Sequence, residues 1–117
     1  MKGYRYVAVK LAGEKVSCDP DPATLYFRKG PDCVRFTFLD IPPKVASVVI
    51  RWKDPKRPLF AGWGTAPSTV GSHHPDIITR GNNQVAGRYE YTVELLDAQG
   101  RLLAQVDPGL ENQGDPP

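Results

Sequence analysis

The sequence is poor in the residues that most often do chemistry: two histidines, two cysteines and one methionine in 117 residues. Two cysteines cannot complete a four-thiolate zinc site. Cys18 and Cys33 can form at most one internal disulfide. Reduced thiols, one or both buried, are the expectation, and a disulfide gains ground only in an exported protein. Long apolar runs are also missing. None approaches the ~20 residues of a membrane-spanning helix, and no stretch sustains helical apolar periodicity. Charge of one sign is scarce as well, since 15 Lys and Arg face 13 Asp and Glu for a formal charge of +2. Strong long-range steering is thereby excluded. The balance also argues against a dedicated nucleic-acid-binding domain, which concentrates its basic residues. No Gly-rich phosphate loop, zinc-protease helix or nucleophile elbow is present. The first residues, Met1-Lys2-Gly3-Tyr4, lack the apolar core of a signal peptide. A cytoplasmic location is expected if the chain is full-length, and a periplasmic or secreted one if an export signal has been removed.

What is present is β punctuation. The 11 Gly and 12 Pro fall mainly between apolar runs, where they mark turns. Hydrophobic residues make up 40% of the chain, enough for one core, and the length suits one domain. Tyr4 to Leu11 alternates, although its inner face stays open: either Tyr4 and Tyr6 or Val7 and Val9 could line the core. Asp19-Pro20-Asp21-Pro22 reads as a constrained bend. Thr24 to Arg28 reads as a short strand ended by Lys29-Gly30-Pro31-Asp32. Cys33 to Leu39 alternates cleanly, with Val34, Phe36 and Phe38 on one face, as an antiparallel strand with one wet face does. Pro42 and Pro43 interrupt the pairing. Ala46 to Trp52 then carries Val48, Ile50 and Trp52 on one side. Arg88 to Asp97 is the clearest strand, with Tyr89, Tyr91, Val93 and Leu95 together. Asp97-Ala98-Gln99-Gly100 is a hairpin turn, and Arg101 to Val106 is its partner. Ile77-Ile78-Thr79 is a further short strand and Arg80 to Gln84 a turn. This makes about seven or eight short strands, which fit an all-β, two-sheet antiparallel β-sandwich. A small barrel is the structural alternative. The domain is expected over residues 1–110, with 111–117 as a flexible polar tail.

Gly87-Arg88-Tyr89-Glu90-Tyr91-Thr92-Val93, Asp97-Ala98-Gln99-Gly100 and Asp107-Pro108-Gly109 together resemble the closing hairpin of small bacterial β-sandwich domains of cupredoxin-like or immunoglobulin-like form. Val16 to Gly30 resembles an opening strand pair of the same group. The resemblance implies a sandwich whose relatives often have no assigned activity. Its copper-binding members use two histidines, a cysteine and often a methionine near the final strands. This chain has no Cys, His or Met after residue 74, so the resemblance implies the fold without blue-copper chemistry.

Residues 59–76 are the least regular stretch, and long irregular loops are often functional. His73 and His74 are candidate metal ligands, and Asp76 could add an oxygen. Adjacent side chains diverge, however, so a metal-free His pair is the plainer expectation. Ser68 and Ser72 near His73 do not make a triad from proximity alone. Asp19 and Asp21 read as solvated turn residues. Arg51, Lys53, Lys56 and Arg57 form a basic segment that Asp54 interrupts, so it reads as a solvated loop before a phosphate contact. Trp63, between Gly62 and Gly64, is either a plug under the loop or an exposed anchor. Phe60, Trp63, His73 and His74 are therefore the candidates for ligand or protein binding. The expected function is a non-catalytic protein-binding or structural module without a cofactor, acting on a protein partner or by self-association. The alternative is a metal-binding or redox accessory protein using the His73/His74 region.

Overall fold

A computed structural model describes residues 2–65 and 74–117. Ten strands follow in chain order: β1 Tyr4–Ala12, β2 Lys15–Asp19, β3 Ala23–Tyr26, β4 Cys33–Leu39, β5 Ser47–Trp52, β6 Phe60–Thr65, β7 Ile77–Asn82, β8 Gly87–Leu96, β9 Leu102–Val106 and β10 Gly109–Gln113. The described residues contain no helix. One sheet runs β2-β1-β4-β7-β6, and the other runs β3-β10-β8-β5 with β9 also on β8. Their inner faces share one core, including Val7, Val9, Leu25, Val34, Phe36, Leu59, Tyr91, Val93, Leu95 and Leu110. The all-β, two-sheet architecture is the one the alternation predicts.

The expectation of purely antiparallel sheets is corrected. Strand β1 pairs parallel with β4, in register from Tyr4↔Cys33 to Lys10↔Leu39. Strand β3 pairs parallel with β10. Parallel neighbours need a crossover connection, and the chain supplies one by changing sheets. After the β1–β2 hairpin it bends at Asp19-Pro20-Asp21-Pro22 and enters the second sheet as β3. It then returns beside β1 as β4. Asp21 anchors that bend, because its carboxylate accepts a 2.9 Å hydrogen bond from the Gly109 amide at the start of β10.

The inner face of β1 is now settled. Val7, Val9 and Leu11 are buried, while Tyr6 is 57% exposed on the outer face. Arg5 has the inner parity but lies at the sandwich mouth, where its Nε donates to the Thr24 carbonyl of β3 at 3.1 Å. Strands β9 and β10 form one ribbon along β8 in unchanged register, Val106↔Val93 and Gly109↔Glu90. Asp107-Pro108 breaks it where proline has no amide hydrogen to donate. The expected tail boundary at residue 111 moves accordingly. Glu111 to Gln113 belong to β10, and Asn112 is 1% exposed. A polar sequence hid this, because the burial of Asn112 rests on hydrogen bonding instead of hydrophobicity. Arg80 to Asn82, expected as part of a turn, continue β7.

Candidate functional site

The region singled out in the sequence lies along one flank of the sandwich. Strands β5 and β6 are edge strands of the two sheets, and the chain passes directly from one to the other through 53–59. A cluster of aromatics closes the gap between them. Trp52 of β5 lies 5.4 Å from Trp63 and 5.7 Å from Phe60, ring centre to ring centre. Phe36 and Tyr91 back the cluster from the core, in edge contact at 5.5 Å.

Strict alternation would place Phe60 and Trp63, three residues apart, on opposite faces. Both nonetheless pack into the core cluster, on a register with β7 that is unchanged from Phe60↔Asn82 to Thr65↔Ile77. Gly81 has φ +74°, and a Cβ there would lie 2.8 Å from the Ala61 Cβ. Thr79, opposite Trp63, is fully inside, and its hydroxyl accepts a hydrogen bond from the Val34 amide at 2.8 Å. Phe60 is therefore a core residue at 3% exposure, and no binding surface of its own remains. Trp63 is half-buried. It plugs the seam between the sheets and still presents part of its indole to solvent.

His73, Ser68 and Ser72 lie outside the described residues. His74 is half-buried and meets the Phe38 ring at 6.1 Å in an edge arrangement. Phe38, Val48, His74, Pro75 and Ile77 line a shallow groove of about 180 Å³, polar and apolar in similar measure. Asp76 is engaged by Arg35, whose Nε donates to its carboxylate at 2.7 Å. Among the described residues no three His, Cys, Asp or Glu side chains gather closely enough to hold an ion.

The cysteines do not approach each other. Cys18 lies beside Val9 of β1 and Cys33 beside Tyr4, on opposite edges of that strand. Five strand residues separate those positions by about 16 Å, far beyond the ~7 Å Cα limit for a disulfide. Both thiols are free and buried. Burial pushes Cys18 up to about 12, and burial followed by the neighbouring Asp32 pushes Cys33 up to about 11. Thiols held protonated are poor nucleophiles.

Two features had no sequence signal strong enough to find them. The first is an asparagine clamp between the sheets. Asn82 of β7 and Asn112 of β10 exchange amide hydrogen bonds at 2.9 Å in both directions. Asn112 also donates to the Val85 carbonyl at 3.1 Å, and Asn83 donates to the Tyr89 hydroxyl at 2.9 Å. The second is a pocket of about 310 Å³ on the outer face of the second sheet, lined by Lys53, Asp54, Arg57, Arg88, Tyr89 and Glu90. The Asn82-Asn83 dipeptide and the clustering of Lys53 with Arg57 hinted at each, but contacts from β8 and β10 complete both. No family model, curated protein or solved structure matches this chain.

Proposed function

We propose that this chain is a non-catalytic recognition or structural module. It takes a protein partner, or a second copy of itself, along the β5–β6 flank. The observation that carries the reading is the partly buried, partly exposed Trp63 in an edge strand with no charge and no proline, Phe-Ala-Gly-Trp-Gly-Thr. Natural edge strands are usually blunted by lysine, proline or an inward charge, because their free amides and carbonyls otherwise pair with another chain. Strand β5 carries one charged residue, Arg51, and Glu94 of β8 holds its Nε at 2.7 Å. Tryptophan is the side chain most enriched among interface anchors, and added-strand recognition uses a free edge with side-chain pockets beside it. The groove at Phe38, Val48 and Ile77 is such a pocket.

A non-catalytic reading is supported by the state of the cysteines, the strongest nucleophiles in the chain. The two thiols are buried and held protonated. The cupredoxin-like form is favoured over the immunoglobulin-like one by the parallel pairs β1–β4 and β3–β10, since immunoglobulin sheets are antiparallel. The metal-accessory alternative at His73 and His74 has less support. Asp76 is committed to Arg35, and the His74 ring packs on Phe38.

Sedimentation of the wild type across a concentration series, together with affinity capture, tests the proposal against Val49→Lys and Trp63→Leu. Self-association, or a captured protein, that both variants lose is the expected result. Identical mass and identical captured proteins for all three chains would overturn the reading.

A further inference from the structure

The pocket on the outer face of the second sheet is built around one arginine. Arg57 stacks on the Tyr89 ring with its guanidinium carbon 4.5 Å from the ring centre. The Tyr89 hydroxyl is fixed in turn, accepting from Asn83 at 2.9 Å and donating to the Val85 carbonyl at 2.9 Å. Gly87 makes the stack possible, because a Cβ there would lie 2.7 Å from an Arg57 terminal nitrogen. The loop that delivers Arg57 is tied down by Asp54, which accepts from the Lys56 amide through its side chain and from the Arg57 amide through its carbonyl.

The donors of this arginine remain unspent. Arg28, Arg35, Arg51, Arg88 and Arg101 each pair with a carboxylate. Arg5 and Arg80 donate to backbone carbonyls. Among the described residues, Arg57 is the one arginine whose guanidinium has neither a hydrogen bond nor an ion pair. A stacked guanidinium is already oriented, so its planar fork can take a carboxylate or phosphate with little further ordering. Lys53 and Arg88 add positive potential, although Asp107 and Glu111 hold them at 3.4 and 3.0 Å. Glu90 also lines the pocket and supplies acceptor oxygens there, loosely paired with Lys53 at 3.9 Å and Arg88 at 3.6 Å.

We propose that this pocket binds a small oxyanion on Arg57, a carboxylate or phosphate group, carried by a ligand that also offers an ammonium or hydroxyl donor to Glu90. The volume of about 310 Å³ is at the lower end for ligand pockets and fits a molecule of amino-acid size. Nucleic acid fits poorly. The Tyr89 face that could stack a base is covered by Arg57, and Asp54 and Glu90 repel a polyanion. This site shares the 53–59 connector with the β5–β6 flank but does not use Trp63 or the strand edges.

The test is a nuclear magnetic resonance titration of the ¹⁵N-labelled protein with inorganic phosphate, with free O-phosphoserine, and with a phosphoserine tripeptide capped at both ends. Saturable shifts at the Arg57 Nε–H and the Gly87 amide are expected. Free phosphoserine should bind about two- to fivefold more tightly than inorganic phosphate, the range of one exposed ion pair. Glu90→Gln should erase that difference. Arg57→Lys, which keeps the charge but loses the fork and the stack, should weaken all three probes, and Gly87→Ala should do the same by displacing Arg57. Unchanged dispersion elsewhere in the spectrum shows that each variant is folded. The capped peptide should bind no better than phosphate. Tighter binding of the capped peptide would replace the small ligand with a modified chain and overturn the proposal. So would equal, non-saturating shifts at the side chains of Arg51, Arg88 and Arg101, which mean an adventitious ion only, or undiminished binding by Arg57→Lys.

Discussion

Tyr91 is the residue whose environment is most at odds with its chemistry. It is fully buried, and its hydroxyl has no hydrogen-bond partner among the described residues. The Cys18 thiol is a polar neighbour but a weak acceptor, and burial above all drives the phenol far above its ordinary value. A buried hydroxyl left unsatisfied costs about 1–3 kcal/mol, while removing it with the ring kept in place is close to free. Tyr91→Phe should therefore stabilise the protein by on the order of 1 kcal/mol in urea unfolding. A loss of that size would show that the hydroxyl is bonded in solution. Cys18 gives a second prediction. Burial raises it from an ordinary 9.0 to about 12 in the folded protein, so the unfolded chain releases this proton first as pH rises. The stability this thiol contributes is complete below about pH 9 and is lost as pH climbs toward 12. Cys18→Ala should be less stable at neutral pH and should show a shallower alkaline decline, measured as unfolding midpoint against pH.

Two strand elements owe their position to polar contacts, and here sequence reading was weakest. The alternating runs of β1, β4, β5 and β8 were legible because hydrophobic burial writes a period of two into the sequence. β10 was not, since its key inward residue is an asparagine. The burial of both Phe60 and Trp63 was not legible either, because a three-residue spacing does not keep two side chains on one face of a regular strand. The irregularity of 59–76 marks the flank in the sequence, and Trp63 there is neither fully buried nor fully exposed. The Arg57 pocket was missed, since it joins residues some thirty positions apart (57 to 88) across two elements. The asparagine clamp is what holds β10 against β7. Asn112→Ala would remove two bonds to Asn82 and one to the Val85 carbonyl, leaving Asn82 with Asp32 and Gln84 and Val85 with the Tyr89 hydroxyl, with an expected loss of about 1–3 kcal/mol. Asn82→Ala removes the facing partner, so the double variant should fall short of the two single losses added together by about 1 kcal/mol or more. Simple additivity in urea unfolding would mean that the two asparagines act separately.

At the scale of the molecule, both sheets bury their inner residues in the same cluster, so neither has a core to keep if the other leaves. Long-range pairing reinforces this. β1 cannot pair with β4 until the chain has crossed to the second sheet and back, and β3 cannot pair with β10 until the last strand is in place. Such interdependence is the basis of all-or-none unfolding in a small domain. The flank is where it would fail first, because β5 and β6 each have one paired neighbour and meet one another through side chains and the 53–59 connector, without backbone pairing. Both tryptophans sit in that seam, which makes their fluorescence a local reporter, while far-ultraviolet circular dichroism reports all ten strands. The two urea transitions should coincide, since Phe36 and Tyr91 bind the indole cluster to the centre of the core. A fluorescence midpoint below the dichroism midpoint would instead show the seam opening while the sheets persist. The Trp63 surface would then be a mobile one that a partner must order on binding, with affinity reduced by that ordering.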